Sequence, residues 1–369
     1  LIAAVLLQTA APAVGAQPAA GPVRAIPVAQ GLENPWAVAF LTEGRFLVTE
    51  RPGRLRVVEA DGRLNPPVAG LPPLAAGGQG GLLDVVLDSG FATNRTVYFC
   101  FSEPASAGAS GNSTALARSR LSEDRTQLQD VRVIFSQRPK VASSLHFGCR
   151  IVEGMKDGRP DGTLFLALGE RFQRMQDAQT LDNHLGKVVR VGKDGSVPRD
   201  NPFVGRAGAL PEIWSYGHRN PQGATPGPDG RLWIHEHGPQ GGDEINLPQP
   251  GRNYGWPVIT FGEQYGGGPI GAGITAKVGM EQPLHHWTPS IAPSGMAFLT
   301  SDRYGSAWKG SLFVGSLKFQ FLDRIELAGG QVAREERLLG DLGERIRDVR
   351  QGPDGYLYVL TDNPKGRLM

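Results

Sequence analysis

His146 is the residue of this chain best suited by its type to proton transfer. It lies in the segment 143–150, between small and apolar residues. A histidine titrates near neutral pH and can take a proton from a hydroxyl group, which is the task of a general base. A histidine packed in a loop without a catalytic role is the alternative. The neighbouring residues do not decide between the two.

Several basic residues could together bind an anionic ligand. Arg345 and Arg347 alternate around Ile346, so on a strand their guanidinium groups would share one face. If Arg219 and Lys318 joined them in one channel, the group would suit a ligand with several carboxylates, because guanidinium groups form forked hydrogen bonds to carboxylates. Taken singly, each of these residues is typical of a solvated surface charge.

A third group offers ligands for a metal ion. Gly238 and Pro239 could supply backbone carbonyls and Glu244 a carboxylate, which are ligands that calcium takes, although no EF-hand spacing is present. His235 and His237 are two positions apart and would share a strand face, but no zinc motif with a third ligand accompanies them. The sequence therefore favours calcium over zinc.

Gln79 stands between two pairs of glycines in the segment 77–81. Glycines let the backbone approach a ligand closely, so the amide of Gln79 could reach that ligand. No helical pattern and no phosphate-loop lysine follows, which argues against a nucleotide-binding loop. A plain tight turn is the alternative.

Six short runs of one pattern supply the elements that must position these residues. Each run alternates aromatic and aliphatic residues, and five of the six directly follow a glycine. The runs cover residues 45–50, 96–101, 163–168, 231–236, 311–316 and 356–361. Several are followed by a second hairpin at an Asp-Gly or Gly-Gly pair, which favours tight turns. No sustained helical period occurs.

This repetition predicts an all-β fold, a six-bladed β-propeller formed by residues 17–369 as one domain. Radial closure explains how so large an all-β chain avoids a long exposed edge. A pair of β-sandwiches is the alternative, but it would not produce six similar runs. In a propeller, loops from distant repeats gather on one face around the central channel.

Composition limits the partners and the location of the protein. The net charge is only +2, so nothing indicates binding to nucleic acid or to an anionic membrane. Residues 1–16 are apolar and end in small residues, which predicts the remnant of an export signal and a periplasmic or secreted protein without stable membrane insertion. Cys100 and Cys149 could form one disulfide or remain two separate buried thiols.

The motifs, in this order, resemble those of the soluble PQQ-dependent sugar dehydrogenases, the glucose/sorbosone dehydrogenase family of six-bladed propellers. The likeness runs from about Asn34 to Asp362. It is most specific in residues 216–223, in residues 243–246 with 253–257, and in residues 345–349.

The resemblance implies a role for each matched residue. His146 would be the general base that takes the proton of the anomeric hydroxyl, and Arg219 would polarise the quinone oxygen of PQQ. Six residues would hold the quinone and carboxylate ends of the cofactor: Gln79, Arg219, Asn220, Lys318, Arg345 and Arg347. Four would bind Ca²⁺: Gly238 and Pro239 at the ion that bridges to PQQ, and Glu244 and Tyr254 at a second, structural ion.

One departure from the family pattern concerns the substrate. Leu145 precedes His146 where the strict glucose dehydrogenases have an acidic residue. The closer likeness is to the aldose sugar dehydrogenases, which have broader substrate choice, and a monomer or a homodimer remains open. The loops 170–173 and 261–265 are expected to contact the sugar but do not identify it.

Three functional hypotheses follow. The first is exported, PQQ- and calcium-dependent oxidation of aldoses at C1 to lactones, with electrons passing to an unidentified acceptor. The second is a calcium-dependent propeller lactonase or other hydrolase, which would give the three cations Lys318, Arg345 and Arg347 no purpose. The third is a non-catalytic propeller that binds sugar or PQQ.

Overall fold

Six antiparallel sheets surround a central channel in the computed structural model, which describes residues 23–369. Five sheets have four strands and one has three. Neighbouring sheets pack through their innermost strands, which form a closed ring around the channel. The predicted β-propeller with six blades is therefore confirmed. The predicted export signal, residues 1–16, lies outside the described residues, as does the predicted start of the domain at residue 17.

The chain builds each blade from the channel outward. Blade 1 consists of β2 (Pro35–Phe40), β3 (Phe46–Glu50) and β4 (Arg54–Val58). Blade 2 consists of β5 (Leu82–Leu87), β6 (Thr96–Pro104), β7 (Asn112–Leu121) and β8 (Leu128–Ser136). Blade 3 consists of β9 (Gly148–Lys156), β10 (Arg159–Leu168), β11 (Lys187–Gly192) and β12 (Ile213–Tyr216).

The second half of the chain repeats this order. Blade 4 consists of β13 (Pro221–Pro226), β14 (Leu232–Glu236), β15 (Asp243–Asn246) and β16 (His285–Trp287). Blade 5 consists of β17 (Pro293–Phe298), β18 (Leu312–Ser316), β19 (Leu322–Ala328) and β20 (Gln331–Leu338). Blade 6 consists of β21 (Ile346–Gln351), β22 (Leu357–Thr361), β23 (Gly366–Leu368) and β1 (Ala29–Leu32).

The six runs identified in the sequence form the second strand of each blade, namely β3, β6, β10, β14, β18 and β22. Their side chains are mostly buried on both faces, because each blade is packed between two others. Helices are short within the described residues. They are an α-helix, α1 (Phe91–Asn94), and two 3₁₀ helices, Met175–Gln179 and Gly340–Leu342.

Blade 6 closes the ring by combining the two ends of the described chain. β1 pairs antiparallel with β23, with Ala29 opposite Leu368. The outermost strand of the last blade is thus the first strand of the described residues. Blade 6 packs against blade 1 through contacts of β21 and β22 with β2.

A buried ionic cluster fills the channel between the inner strands. Arg150 contacts Asp348 at 2.8 Å and Asp84 at 3.4 Å, and its guanidinium carbon lies 4.2 Å from the centre of the Trp36 ring. Arg350 contacts Asp84 at 2.6 Å and Asp348 at 3.1 Å. These residues come from blades 1, 2, 3 and 6, so the cluster links four blades across the channel.

A disulfide bond joins Cys100 and Cys149, which is the first of the two alternatives considered above. Cys100 lies on β6 in blade 2 and Cys149 on β9 in blade 3, and both are fully buried. The bond therefore connects two adjacent blades close to the channel.

No helix in residues 23–369 combines the length and the apolar character that crossing a membrane would require.

Candidate active site

The predicted site residues gather at one face of the propeller, where the inner strands begin. Because β13 and β14 are antiparallel, with Pro221 paired to Glu236, the start of an inner strand and the end of the second strand lie at the same face. Connections that enter inner strands contain Gln79, His146, Arg219, Asn220 and Arg345. Connections that leave second strands contain Gly238, Pro239 and Lys318.

His146 is held from both its backbone and its ring. Its backbone N–H donates to Oε1 of Gln79 at 2.8 Å, and its ring Nδ1 lies 2.9 Å from Oε2 of Glu170. The residue is buried and has a left-handed φ of 50°. Because an ionised carboxylate only accepts hydrogen bonds, Nδ1 carries the proton and Nε2 presents its lone pair.

The surroundings of His146 favour the neutral imidazole. Burial lowers the pKa of His146, and the positive charges of Arg219 and Arg171 lower it further. The carboxylate of Glu170 acts in the opposite direction and raises this pKa. Since burial dominates, His146 is ready to accept a proton at neutral pH.

The segment 169–172 fixes the loop that contains His146. A Cβ atom on Gly169 would lie 2.1 Å from the carbonyl oxygen of His146, so only glycine permits this close approach. Arg171 donates to the carbonyls of Leu145 at 3.0 Å and Asn112 at 2.9 Å. Its guanidinium carbon lies 3.8 Å from the centre of the Phe147 ring. Burial lowers the pKa of Arg171 to about 10.

Arg219 lies at the floor of the site. Its backbone N–H donates to Glu236, and its Nη1 donates to the carbonyls of His237 at 3.1 Å and Gly238 at 2.7 Å. Its guanidinium carbon lies 5.1 Å from the centre of the Trp256 ring. Among the described residues, the buried Nε of Arg219 has no hydrogen-bond partner. A buried unpartnered donor fits an anionic or carbonyl-bearing ligand at this position.

Asn220 supports the site from behind His146. Its Oδ1 accepts a hydrogen bond from the backbone N–H of Gly148 at 3.3 Å and from Nε2 of Gln222 at 3.2 Å. The residue is almost fully buried. Its carboxamide thus ties the start of β13 to the start of β9.

Arg345 and Arg347 share one face of the chain, as the alternation predicted. Both guanidinium groups reach Oδ2 of Asp362 at 2.9 Å. Their positive charges hold the pKa of Asp362 well below its usual range, although burial opposes this. Arg347 also keeps a buried Nε without a partner in the described part of the chain.

Lys318 stands next to this pair. The carbonyl of Leu317 accepts a hydrogen bond from Nη1 of Arg345 at 3.2 Å, which places the exposed Lys318 beside the arginines. Its Nζ lies 5.1 Å from the centre of the Phe319 ring. Three cations against one internal carboxylate leave an excess of positive charge, which fits a cofactor with several carboxylates.

Two buried carboxylates lie near the predicted calcium ligands. Burial raises the pKa of Glu244 to about 8, and the negative charge of Glu236 adds to this effect. Glu236, Glu244, Gly238 and Tyr254 line a cavity of about 10 Å³. A carboxyl group whose pKa is raised by burial and by a neighbouring negative charge fits a site for a cation.

Tyr254 uses its side chain for packing and loop support. Its ring stacks on His218 at 4.8 Å, and its hydroxyl donates to the carbonyl of Leu247 and accepts from the backbone of Gln249 at 3.0 Å. Within residues 23–369, no cluster of three or more His, Cys, Asp or Glu side chains is arranged to hold a metal ion. A calcium ion here would therefore need backbone carbonyls in addition to carboxylates.

The two histidines considered for zinc differ in their contacts: among the described residues, both ring nitrogens of His235 lack a hydrogen-bond partner, whereas His237 has one. Nε2 of His237 lies 2.6 Å from the carbonyl oxygen of Pro293 and donates to it. Burial lowers the pKa of His237 to about 3 and that of His235 well below its usual value. Both rings are therefore neutral and buried parts of the channel wall.

The roles of three carboxylates in this site were not identified from the sequence. Glu170 orients His146, Asp362 joins two arginines, and Asp243 accepts hydrogen bonds from the backbone N–H groups of Gly238 and Ile291 at 2.8 and 2.7 Å. Glu170 and Asp362 each follow within two residues of the end of a second strand. A search for carboxylates at that position of each repeat could have found both.

Comparisons with known proteins agree with the six-bladed fold. The sequence model of the family described as "Glucose / Sorbosone dehydrogenase" matches residues 32–369. The chain is 48% identical over 341 residues to the aldose sugar dehydrogenase YliI of Escherichia coli K12, covering 92% of this chain and 90% of that protein.

Two solved structures are similar over nearly the whole length. The soluble aldose sugar dehydrogenase of Escherichia coli in its apo form is 46% identical with a TM-score of 0.87, covering 93% of this chain and 97% of that one. The PQQ-bound form of the aldose sugar dehydrogenase of Streptomyces coelicolor is 28% identical with a TM-score of 0.73, covering 93% and 96%.

Proposed function

The chain belongs to the glucose/sorbosone dehydrogenase family, and from this premise we propose that it oxidises aldose sugars at C1 to lactones with PQQ and calcium. It is a sugar dehydrogenase of the quinoprotein type. The observation that carries the proposed chemistry is the neutral His146, hydrogen-bonded at Nδ1 to Glu170 and placed on the same face as the buried Arg219.

Gln79 and Glu170, which both contact His146, have different roles in proton transfer. Nε2 of His146 takes the proton of the anomeric hydroxyl, while the hydrogen bond from the backbone N–H of His146 to Gln79 keeps the histidine in place. The imidazolium that results is stabilised by the Glu170 carboxylate, in the way a buried acid stabilises a catalytic histidine in other enzymes. PQQ, when bound, supplies the quinone that accepts the hydride from C1.

The cations at the face would hold that cofactor. Lys318, Arg345 and Arg347 would bind its carboxylates, and the unpartnered Nε of Arg347 leaves a donor free for them among the described residues. Arg219 would donate to the quinone oxygen and stabilise negative charge there, with Asn220 fixing the adjacent backbone. Gln79 would contact the quinone end while its Oε1 holds His146.

Calcium would occupy the oxygen-rich turn beside Arg219. Pro239 and Gly238 would offer carbonyl oxygens, and the Gly238 carbonyl has a second lone pair besides the one used by Arg219. The Glu244 carboxylate and Tyr254 would belong to a second ion that neutralises the buried acids Glu244 and Glu236. We further propose export directed by residues 1–16, with residues 17–369 as the catalytic propeller in the periplasm or outside the cell.

Reconstitution tests the proposal directly. PQQ and Ca²⁺ added to the purified apoprotein should produce dye-linked oxidation of aldoses and an absorbance change of the bound quinone on addition of sugar. His146→Gln should bind PQQ normally and lose about 10³-fold in kcat/KM, because the base is absent. Glu123→Gln changes an exposed side chain in the turn between β7 and β8 and should retain the rate.

Other outcomes would count against the proposal. Lactone hydrolysis that needs calcium but no PQQ would favour the hydrolase. PQQ or sugar binding with no quinone reduction by any aldose would favour a binding propeller. Full turnover by His146→Gln would remove His146 as the base.

A further inference from the structure

Lys187 is a fully buried lysine at the site face of blade 3 that the proposed chemistry does not use. It is the first residue of β11 and pairs with Leu168 at the end of β10. Burial lowers the pKa of Lys187 to about 7, while the negative charges of Asp177 and Asp182 oppose this shift. Taking an ammonium group out of water is costly, and an apolar side chain would avoid that cost. The position therefore indicates a role that needs the donors of an ammonium group.

Three backbone carbonyls surround this ammonium group. Nζ of Lys187 donates to the carbonyl oxygens of Asp177 at 2.9 Å, Ala178 at 3.3 Å and Leu185 at 2.6 Å. An ammonium group has three N–H donors, so this set uses all of them. Asp177 and Ala178 belong to the 3₁₀ helix Met175–Gln179, and Leu185 lies just before β11. Lys187 thus ties the 3₁₀ helix to the start of β11.

The same segment holds the backbone just before Arg219. The carbonyl of Ala178, which accepts from the ammonium group, also accepts from the backbone N–H of Gly217 at 2.9 Å. The backbone N–H of His218 donates to the carbonyl of Gly186 at 3.1 Å. A Cβ atom on Gly186 would lie 2.3 Å from the carbonyl oxygen of His218, so the two segments approach closely. A single carbonyl therefore connects the ammonium group to the residue two positions before Arg219.

A second route leads from the 3₁₀ helix to the side chain of Arg219. Nε2 of Gln179 donates to the carbonyl of Trp256 at 2.7 Å, and the amides of Gln179 and Asn253 donate to each other at 3.0 and 2.8 Å. The guanidinium carbon of Arg219 lies 5.1 Å from the centre of the Trp256 ring. The helix that Lys187 holds is therefore bonded to the turn that borders the guanidinium group.

We propose that Lys187 is a positioning residue for Arg219, acting through the 3₁₀ helix on the backbone of Gly217 and on the ring of Trp256. This rests on the proposed function, in which Arg219 donates to the quinone oxygen. Because Lys187 is fully buried, it acts without touching the sugar or the cofactor. It fixes the place of the donor before negative charge develops on that oxygen, and a donor already in place needs no rearrangement during the reaction.

A purely structural role predicts a different pattern. If Lys187 only stabilised blade 3, its removal would lower the free energy of unfolding, while the folded protein would reduce the quinone at the normal rate. If Lys187 positions Arg219, its removal slows quinone reduction in the folded protein. The sugar concentration for half-maximal rate stays the same, because Arg219 contacts the cofactor rather than the sugar. The two roles therefore separate in the limiting rate.

Hydrogen exchange of the purified apoprotein measures the positioning without cofactor or turnover. In Lys187→Met, the backbone N–H groups of Gly217 and His218 should exchange about tenfold faster, the factor for weakening about one hydrogen bond. Peptides from blade 6, on the other side of the ring, should exchange as in the wild type. Mass spectrometry of peptides that cover residues 214–222 gives these rates.

Stopped-flow reduction of the PQQ- and calcium-loaded protein by an aldose gives the kinetic part of the test. In Lys187→Met the limiting rate should fall about tenfold, because a displaced donor stabilises the developing charge less well. The half-saturating sugar concentration should stay the same. The affinity for PQQ should also stay the same, since Lys318, Arg345 and Arg347 would still hold its carboxylates.

Gln179→Met is a second variant that keeps the test valid if Lys187→Met does not fold. It removes the hydrogen bonds to Asn253 and Trp256 and leaves the carbonyls around the ammonium group in place. It should slow quinone reduction in the same way and speed the exchange of residues 253–257.

Lys309→Met is the matched control. Lys309 is an exposed lysine in the connection between β17 and β18, at the opposite face of the propeller. Its removal should change neither the exchange rates nor the limiting rate.

Two results would overturn the proposal. One is normal exchange at Gly217 and His218 together with a normal limiting rate in both variants, even where the free energy of unfolding is reduced. The other is a change confined to the half-saturating sugar concentration. If no aldose reduces the quinone in the wild type, the proposed function fails. That failure is distinct, because the exchange of the apoprotein reports on the segment before Arg219 without any turnover.

Discussion

At the scale of single residues, the properties of the base depend on a carboxylate that is distant in the chain. Burial and two arginines lower the pKa of His146, and Glu170 is the group that opposes them. Glu170 also selects the tautomer by accepting from Nδ1. One side chain thus sets both the orientation and the proton affinity of the base.

Glu170→Gln tests this dependence through the pH profile. The amide oxygen can still accept from Nδ1, but the negative charge that raises the pKa of His146 is lost. We therefore expect the acid limb of kcat/KM, which falls as His146 becomes protonated, to move to lower pH. The plateau should drop about 100-fold, because the imidazolium formed during proton transfer loses its counter-charge.

The measurement is steady-state sugar oxidation between pH 4 and 8 in the PQQ- and calcium-loaded protein. Glu123→Gln, which changes an exposed carboxylate in the turn between β7 and β8, should leave the profile unchanged. An acid limb that moves to higher pH in Glu170→Gln would contradict the assignment.

The sequence could identify donors and bases at this scale but not their partners. His146, Arg219, Arg345 and Arg347 stand out by their type and spacing. Glu170 and Asp362 do not, because their partners lie in other connections and meet them only after the strands have placed the loops. In each case the partners flank the first two strands of one blade, so they meet only when those strands pair.

At the scale of elements, the disulfide connects the second strand of blade 2 with the inner strand of blade 3. The two cysteines are 49 positions apart, and Cys149 follows His146 by three residues on the way into β9. The bond therefore keeps blades 2 and 3 close together near the loop that contains His146.

Replacing both cysteines by alanine should reduce the free energy of unfolding by about 2–4 kcal/mol, since the unfolded chain regains the entropy of a long loop. Chemical denaturation with and without a thiol reductant measures this difference. Reductant should destabilise the wild type and leave the double variant unchanged. Equal midpoints for both proteins without reductant would contradict a stabilising bond.

The strands could be predicted from the sequence, because alternation and turn residues are local signals. The six predicted runs correspond to β3, β6, β10, β14, β18 and β22, and the predicted and observed ends differ by a few residues. The short β1 carries no comparable pattern, since its four residues gain a partner only from β23 at the other end of the chain.

At the scale of the whole molecule, the ring of blades depends on charges in its centre. Arg150, Asp84 and Asp348 are buried in the channel beside the half-buried Arg350, and burial lowers the pKa of Arg150 while the two carboxylates oppose this shift. Removing one member of such a cluster leaves charges that water cannot reach.

Arg150→Met should therefore lower the free energy of unfolding by about 3–5 kcal/mol, because Asp84 and Asp348 lose one of their two cations. Urea unfolding followed by tryptophan fluorescence measures the change. Arg63→Met, at an exposed arginine 3.9 Å from Asp61, should change stability by no more than about 0.5 kcal/mol. Equal midpoints for the two variants would contradict the role of the cluster.

The pairing of β1 with β23 also sets an order of events during synthesis. The strand at residues 29–32 is made before any blade is complete, yet its partner at residues 366–368 is made only after the other strands of all six blades. Until then β1 has no strand to pair with, and blade 6 lacks its two outer strands. Synthesis that stops shortly before residue 366 would release a chain in which the inner strands are all present but blade 6 has only β21 and β22. The outer half of blade 6 is thus assembled after the rest of the propeller has been translated.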